Sequence, residues 1–156
     1  ARAEQLAAAL REEGFAAQAV TDADNAMRAA DVITCATMSP TPLVRGSLLK
    51  PGAHVDVVGA FRPDMRETDD ETVRRAHIFV DTREGALAES GDLLLPMARG
   101  VIDEADVLGD LIGLCNKSIA GRTAADEITM FKSVGTAIED WAAAALAYET
   151  ITERAS

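Results

Sequence analysis

Short runs that are apolar at nearly every position recur along this chain, and between them the apolar positions fall at helical spacing. "DVITCAT", "AHVDVVGA", "HIFVD" and "EITMFKS" are β-branched and apolar, and too short for buried helices, so they predict strands buried on both faces. The opening "ARAEQLAAALREEGF" sets Leu6 and Leu10 four apart on an Ala-rich face and predicts a helix stopped by Gly14. "AAQAVT" predicts a short strand, and "DADNAMRAA" a short helix opened by Thr21 or Asp22. "SPTPLVRGSLLKPG" predicts a loop with one helical turn, "DDETVRRA" and "TREGALAES" predict helices, and "GDLLLP" predicts a connection. In "DEADVLGDLIGLCNK", Val107, Leu111 and Leu114 stand at helical spacing with Leu108 and Ile112 beside them. A final helix is predicted from about residue 134 to 152, with Ile138, Trp141, Ala145 and Tyr148 along one stripe.

Strands alternating with helices, each strand short and apolar, predict an α/β fold: a parallel sheet with helices on both faces. The Ala-rich last helix departs from this alternation, and its stripe suits packing on another domain or another chain. With 156 residues, 48% of them apolar, the chain can bury the core of one globular domain. It begins at Ala1, inside what reads as a helix already under way, which predicts that something precedes it in the natural protein.

Charge narrows the partners. Fifteen Lys and Arg against 26 Asp and Glu leave a formal net charge of -11, and no basic run interleaved with aromatics occurs, so a nucleic-acid partner is not expected. The longest apolar stretches are interrupted or too short to span a bilayer, and no signal sequence opens the chain; a cytoplasmic protein is expected. Cys35 and Cys115 lie far apart without CxxC or His-spaced partners, so neither a disulfide framework nor a metal site is expected, and Cys35 reads as a small buried residue.

Candidate chemistry lies in four loops that follow predicted strands: Thr37 to Pro42, Gly59 to Arg66, Asp81 to Glu84 and Lys132 to Gly135. In a parallel sheet these carboxyl ends share one edge, where open α/β sheets hold ligands. Thr37 and Ser39 suit hydrogen bonding to a ligand or, equally, to their own loop backbone. Arg62, Asp64, Arg66 and Glu67 suit an acid substrate or a solvated face. Ser133, between "MFK" and "VGTAIEDW", suits a helix N-cap or a contact at a ligand crevice. His54 and His77 have no neighbouring nucleophile arrangement and read as structural, with His54 and Asp56 on one strand face as a satisfied buried pair. No GxGxxG and no GxxxxGK[ST] occurs, so the chain carries no phosphate-cradling glycine loop of either kind.

The segments "CATMSPTPLVRGSLLKPGAHVDVVGAFRPDMRETDDE", "VDTREGALAESGDLLLPM" and "DEITMFKSVGTAIEDWAAAALAYE" resemble, in order and spacing, the ornithine cyclodeaminase and mu-crystallin family. The resemblance implies a two-part subunit: a catalytic and dimerisation domain, and a Rossmann domain that binds NAD or NADP. It divides this chain into residues 1–133, a partial Rossmann domain whose first strands and glycine loop are absent, and residues 134–156, a helix returning to the catalytic domain. It implies a homodimer and assigns Thr37, Met38, Val58, Gly59, Ala60 and Ser133 to the cofactor crevice, with the catalytic residues expected in the missing part. Where the cyclodeaminases carry an Asp, this chain has Phe61, which transfers no proton and stabilises no cation in that way. The resemblance therefore points to the family's imine reductases, which reduce cyclic ketimine acids such as pyrroline-2-carboxylate with NAD(P)H. Ornithine cyclodeaminase or alanine dehydrogenase activity, a non-catalytic ligand-binding protein and an inactive fragment remain the alternatives.

Overall fold

The computed structural model describes residues 2–154; Ala1 and residues 155–156, the outermost positions of the two expected segments, lie outside them. Helix α1 (Arg2–Glu12) ends at Gly14, whose φ of 92° is open to glycine without strain. Helix α2 (Ala23–Ala29) is opened by Asp22, whose carboxylate accepts the Asn25 amide at 3.1 Å. Strand β1 (Val32–Cys35) and strand β2 (His54–Val57) follow, separated by a loop with a 3-10 turn over Gly46–Leu48. Helix α3 (Asp70–Arg75), capped by Asp69, leads directly into β3 (Ala76–Val80). After helices α4 (Arg83–Glu89) and α5 (Gly91–Ala98) come β4 (Val107–Asp110), α6 (Leu111–Cys115), β5 (Ile128–Lys132) and the long α7 (Ala137–Arg154).

All five strands are parallel, in the order β1-β2-β5-β3-β4. The pleat sends alternate residues to opposite faces, so Val55, Val57, Ile78, Val80, Met130 and Lys132 share one face in register. That face holds the core, closed by Val73 of α3, Ala86 of α4 and Leu93 of α5 together with Val44 and Leu49. On the opposite face β4 carries Gly109, where any Cβ would overlap the side chain of Ile119, so the segment after α6 lies directly on the strand. The expected parallel α/β architecture is the one observed.

Four local expectations are corrected. Residues 16–21, the expected strand "AAQAVT", form no regular element: the Ala17 amide bonds back to the Phe15 carbonyl and its carbonyl accepts from Arg11, and without a ladder partner an extended segment is not a strand. The "DEADVLGDLIGLCNK" helix is split. Val107, Gly109 and Asp110 pair with β3 as an edge strand, and Asp110 then caps α6 by accepting the Gly113 amide at 2.8 Å. Apolar spacing alone fits both states, and the ladder decides. "GDLLLP" is helical, not a connection; Pro96 removes one intrahelical bond from α5, while Leu93 is buried in the core. The last helix starts at Ala137, because the residues before it are held by another partner.

Candidate functional site

The four strand-end loops are stitched together by backbone hydrogen bonds. The Ala60 amide donates to the Thr37 carbonyl (3.1 Å), the Arg66 amide to the Ser39 carbonyl (3.0 Å), and the Ser133 amide to the Val57 carbonyl (3.0 Å). The Asp81 amide donates to the Lys132 carbonyl (3.2 Å), which ties the third loop to the fourth. Thr37, Met38, Val58, Gly59, Ala60 and Ser133, the positions singled out in the sequence, therefore sit along one edge of one sheet. Ser39 and Thr37 spend hydroxyl groups on their own loop: Ser39 Oγ donates to the Thr41 carbonyl (2.6 Å) and Thr37 Oγ1 accepts the Ser39 amide (3.3 Å).

At the middle of this edge the first and second loops touch backbone to backbone. A Cβ on Gly59 would overlap the Thr37 carbonyl and amide and lie 2.6 Å from Glu67 Oε1, so only glycine fits. Ala60 follows with φ at +50°, a left-handed conformation that is uncommon for alanine and turns the chain away from the sheet. Flanking this buried turn, Met38 is 71% exposed, Val58 46% and Phe61 46%, an uncovered apolar group.

Under the turn lies a buried charge cluster. The Lys132 side chain is fully buried, and its ammonium donates to the Gly59 carbonyl while standing 3.7 Å from Asp92 Oδ2. Asp92 Oδ1 accepts the Glu67 amide (2.8 Å), the Thr68 amide (2.8 Å) and the Thr68 hydroxyl (2.7 Å). Glu67 Oε1 in turn accepts the Thr37 amide at 2.5 Å. Burial holds the Lys132 amine below its ordinary pKa, opposed by the charges of Asp92, Glu67 and Asp81. Cys35, half-buried beside the same carboxylates, is pushed up to about 11, chiefly by burial and then by Glu67, Asp92 and Asp56.

Ser133 is not the cap of α7. Its hydroxyl donates to Asp81 Oδ2 at 2.9 Å, and the same oxygen accepts the amides of Val134 and Gly135, both at 2.7 Å. Those amides, which would otherwise attract an anion, already hold a carboxylate.

Three elements of the site escaped the pattern of residues. Asp92 hid in "GDLLLP" because a carboxylate in an apolar run gives no spacing signal; its burial at the first turn of α5 is what matters. Asp81 was one residue of a loop and proves to be the anchor for Ser133 to Gly135. The charged run after Phe61 divides: Arg62 and Asp64 pair in solvent, whereas Arg66 and Glu67 are buried. His54 is half-buried and is not closed against Asp56: its Nδ1 meets Thr129 Oγ1 at 2.8 Å, and burial lowers its pKa.

The edge therefore presents exposed Met38, Val58 and Phe61 around a buried Gly59–Ala60 turn. The profile of the ornithine cyclodeaminase/mu-crystallin family matches residues 1–155. The chain belongs to that family. Among its members, a Delta(1)-pyrroline-2-carboxylate reductase of Paracoccus denitrificans is 46% identical over 117 residues, covering 75% of this chain and 37% of that protein. Ketimine reductase mu-crystallin of Mus musculus is 45% identical over 127 residues, covering 80% of this chain and 37% of that protein. The solved Delta(1)-pyrroline-2-carboxylate reductase of Thermococcus litoralis, in complex with NADH and L-proline, superposes with a TM-score of 0.90 at 40% identity over 98% of this chain and 46% of that one. The chain thus spans less than half the length of these family members. Among the described residues, no helix is long and apolar enough to cross a membrane.

Proposed function

We propose that the protein reduces cyclic ketimine acids such as pyrroline-2-carboxylate, using NAD or NADP in its reduced form, to the saturated amino acid. The observation that carries this reading is the apolar edge itself: exposed Met38, Val58 and Phe61 around the buried Gly59–Ala60 turn, in a family whose similar members are reductases of this kind. When bound, the reduced nicotinamide supplies the hydride for the C=N carbon. In this reading Thr37 and Met38 line one side of the ring, Val58 lies beneath it on the buried turn made by Gly59 and Ala60, and Ser133 stands at its far side. Because Ser133 gives its proton to Asp81, it meets a ligand as an acceptor.

Phe61 bears on the chemistry. It is half-exposed next to Ala60, where the resemblance places an acid in the cyclodeaminases, and a phenyl ring takes no part in proton transfer. Reduction of a C=N bond that is already formed depends on positioning and on hydride supply, so it tolerates this change better than cyclisation with loss of ammonia does. Residues 1–133 serve in this reading as the dinucleotide-binding part and residues 134–156 as the helix that returns to a catalytic and dimerisation domain. Ile138, Trp141 and Tyr148 of that helix, each at least 70% exposed, supply apolar surface for such packing and for a homodimer. The 156-residue chain by itself, which contains no GxGxxG loop, should bind the dinucleotide weakly and be inactive.

The test uses the protein as expressed from its gene. Consumption of NADH or NADPH with pyrroline-2-carboxylate or piperideine-2-carboxylate, giving proline or pipecolate, is the expected result. Release of ammonia from ornithine with proline as the product would assign the protein to the cyclodeaminases, and dinucleotide reduction with alanine would assign it to the amino-acid dehydrogenases.

A further inference from the structure

A fully buried lysine is expensive: the ammonium must be taken out of water, and apolar residues of like volume commonly stabilise a fold as well or better. Lys132 nevertheless stands in the central strand with no exposed surface. Its location gives the reason. Strand β2 ends at Val57, so the Gly59 carbonyl has left the ladder, and the left-handed Ala60 turns the next peptide away. The carbonyl finds its partner in the Lys132 ammonium. Asp92 is held by three donors on Oδ1, and its Oδ2 makes no hydrogen bond, facing the ammonium at 3.7 Å. Glu67, fixed to the same Asp92 through its amide, reaches across to the Thr37 amide. One buried network therefore holds both segments that border the crevice.

We infer that Lys132 is a positioning residue: its ammonium, steadied by Asp92, ties down the Gly59 carbonyl and so fixes the buried Gly59–Ala60 turn that sets the exposed Val58 and Phe61 at the edge where a nicotinamide ring would lie. This inference rests on the proposed dinucleotide site. Lys132 touches no ligand in this arrangement; it acts through the Gly59 peptide, and loss of the ammonium frees that peptide to rotate and displaces Val58 and Phe61 at the edge.

The experiment compares the protein as expressed from its gene with Lys132→Met and with the double variant Lys132→Met, Asp92→Asn. The readouts are the dissociation constant for NADH or NADPH by fluorescence titration and the melting temperature. Lys132→Met is expected to lose stability, since Asp92 and Glu67 are left as buried carboxylates without their cation, and to weaken dinucleotide binding at least about tenfold. The double variant removes one of these two charges and is expected to recover part of the lost melting temperature without recovering the affinity. A folded double variant with undiminished affinity would overturn the positioning role while leaving the proposed site intact. Failure of the double variant to fold would make the pair a support of the fold and also overturn it. An unaltered protein that binds neither dinucleotide would remove the proposed site and this inference with it.

Discussion

Ser133 donates its hydroxyl to Asp81, and that single carboxylate also gathers the Val134 and Gly135 amides through Oδ2 and the Thr82 amide through Oδ1. Asp81 is 2% exposed, so its carboxylate depends on these donors rather than on water. Asp81→Ala should lower stability by roughly 2–4 kcal/mol, the scale for hydrogen bonds to a charged acceptor whose partners are stranded. Urea unfolding at neutral pH checks this, and an unchanged midpoint would show that the anchor is dispensable.

The same bond changes what substitutions at Ser133 report. Ser133→Ala removes one donor and should cost about 1 kcal/mol. Ser133→Asp would be harmless at a helix cap, but here it sets a second carboxylate against Asp81 and should be clearly more destabilising than alanine. Thermal melts of the two variants side by side give the order.

Gly59 and Gly135 make a second pair of opposites. Gly59→Ala must push apart the Thr37 and Gly59 backbones, so a loss of about 2 kcal/mol or more is expected. At Gly135 a Cβ meets nothing within 4 Å, and only the φ of 86° opposes alanine, for a cost of about 1 kcal/mol. Equal losses in chemical denaturation would contradict the close approach at residue 59.

The difference between these positions shows what sequence can and cannot carry. The strands around Val55, Ile78 and Met130 were legible because an apolar run too short for a helix has few other uses, and the carboxyl-edge loops followed from parallel pairing. β4 was not legible, because Val107, Leu111 and Leu114 satisfy helical spacing and only the neighbouring β3 ladder overrides it. Lys132, Asp92 and Glu67 were hidden for a different reason: each looks like an ordinary surface charge, and their burial together depends on three elements distant in sequence. Gly59 was visible as the start of a strand-end loop, whereas its contact with Thr37 was not.

His54 predicts a pH dependence with a definite sign. Burial lowers its folded-state pKa below the ordinary 6.5, so the fold favours the neutral ring. The stability this provides is complete above the unfolded value and is lost as pH falls through the folded one. Denaturation midpoints between about pH 7 and 5 should fall less steeply for His54→Gln than for the unaltered protein, and parallel curves would place the titration elsewhere.

The two thiols should separate by rate. Cys115 is exposed, while Cys35 is half-buried with its pKa raised to about 11. Since the thiolate is the reacting form, iodoacetamide near pH 8 should modify Cys35 at least about tenfold more slowly than Cys115. Peptide mass mapping over a time course distinguishes the sites.

The strand order has a consequence for how the chain reaches its fold. Among the described residues β5 is the last strand in chain order, yet it lies between β2 and β3 and joins them. Until Lys132 has left the ribosome, the nascent chain can form two separate ribbons, β1 with β2 and β3 with β4, but not a sheet. Closing them waits for contacts of large sequence separation, the slow step in folding parallel topologies, and during that wait two apolar strand edges stand open to other chains. Emergence of residues 128–132 from the ribosome is thus the point from which β2 and β3 can be joined in one sheet.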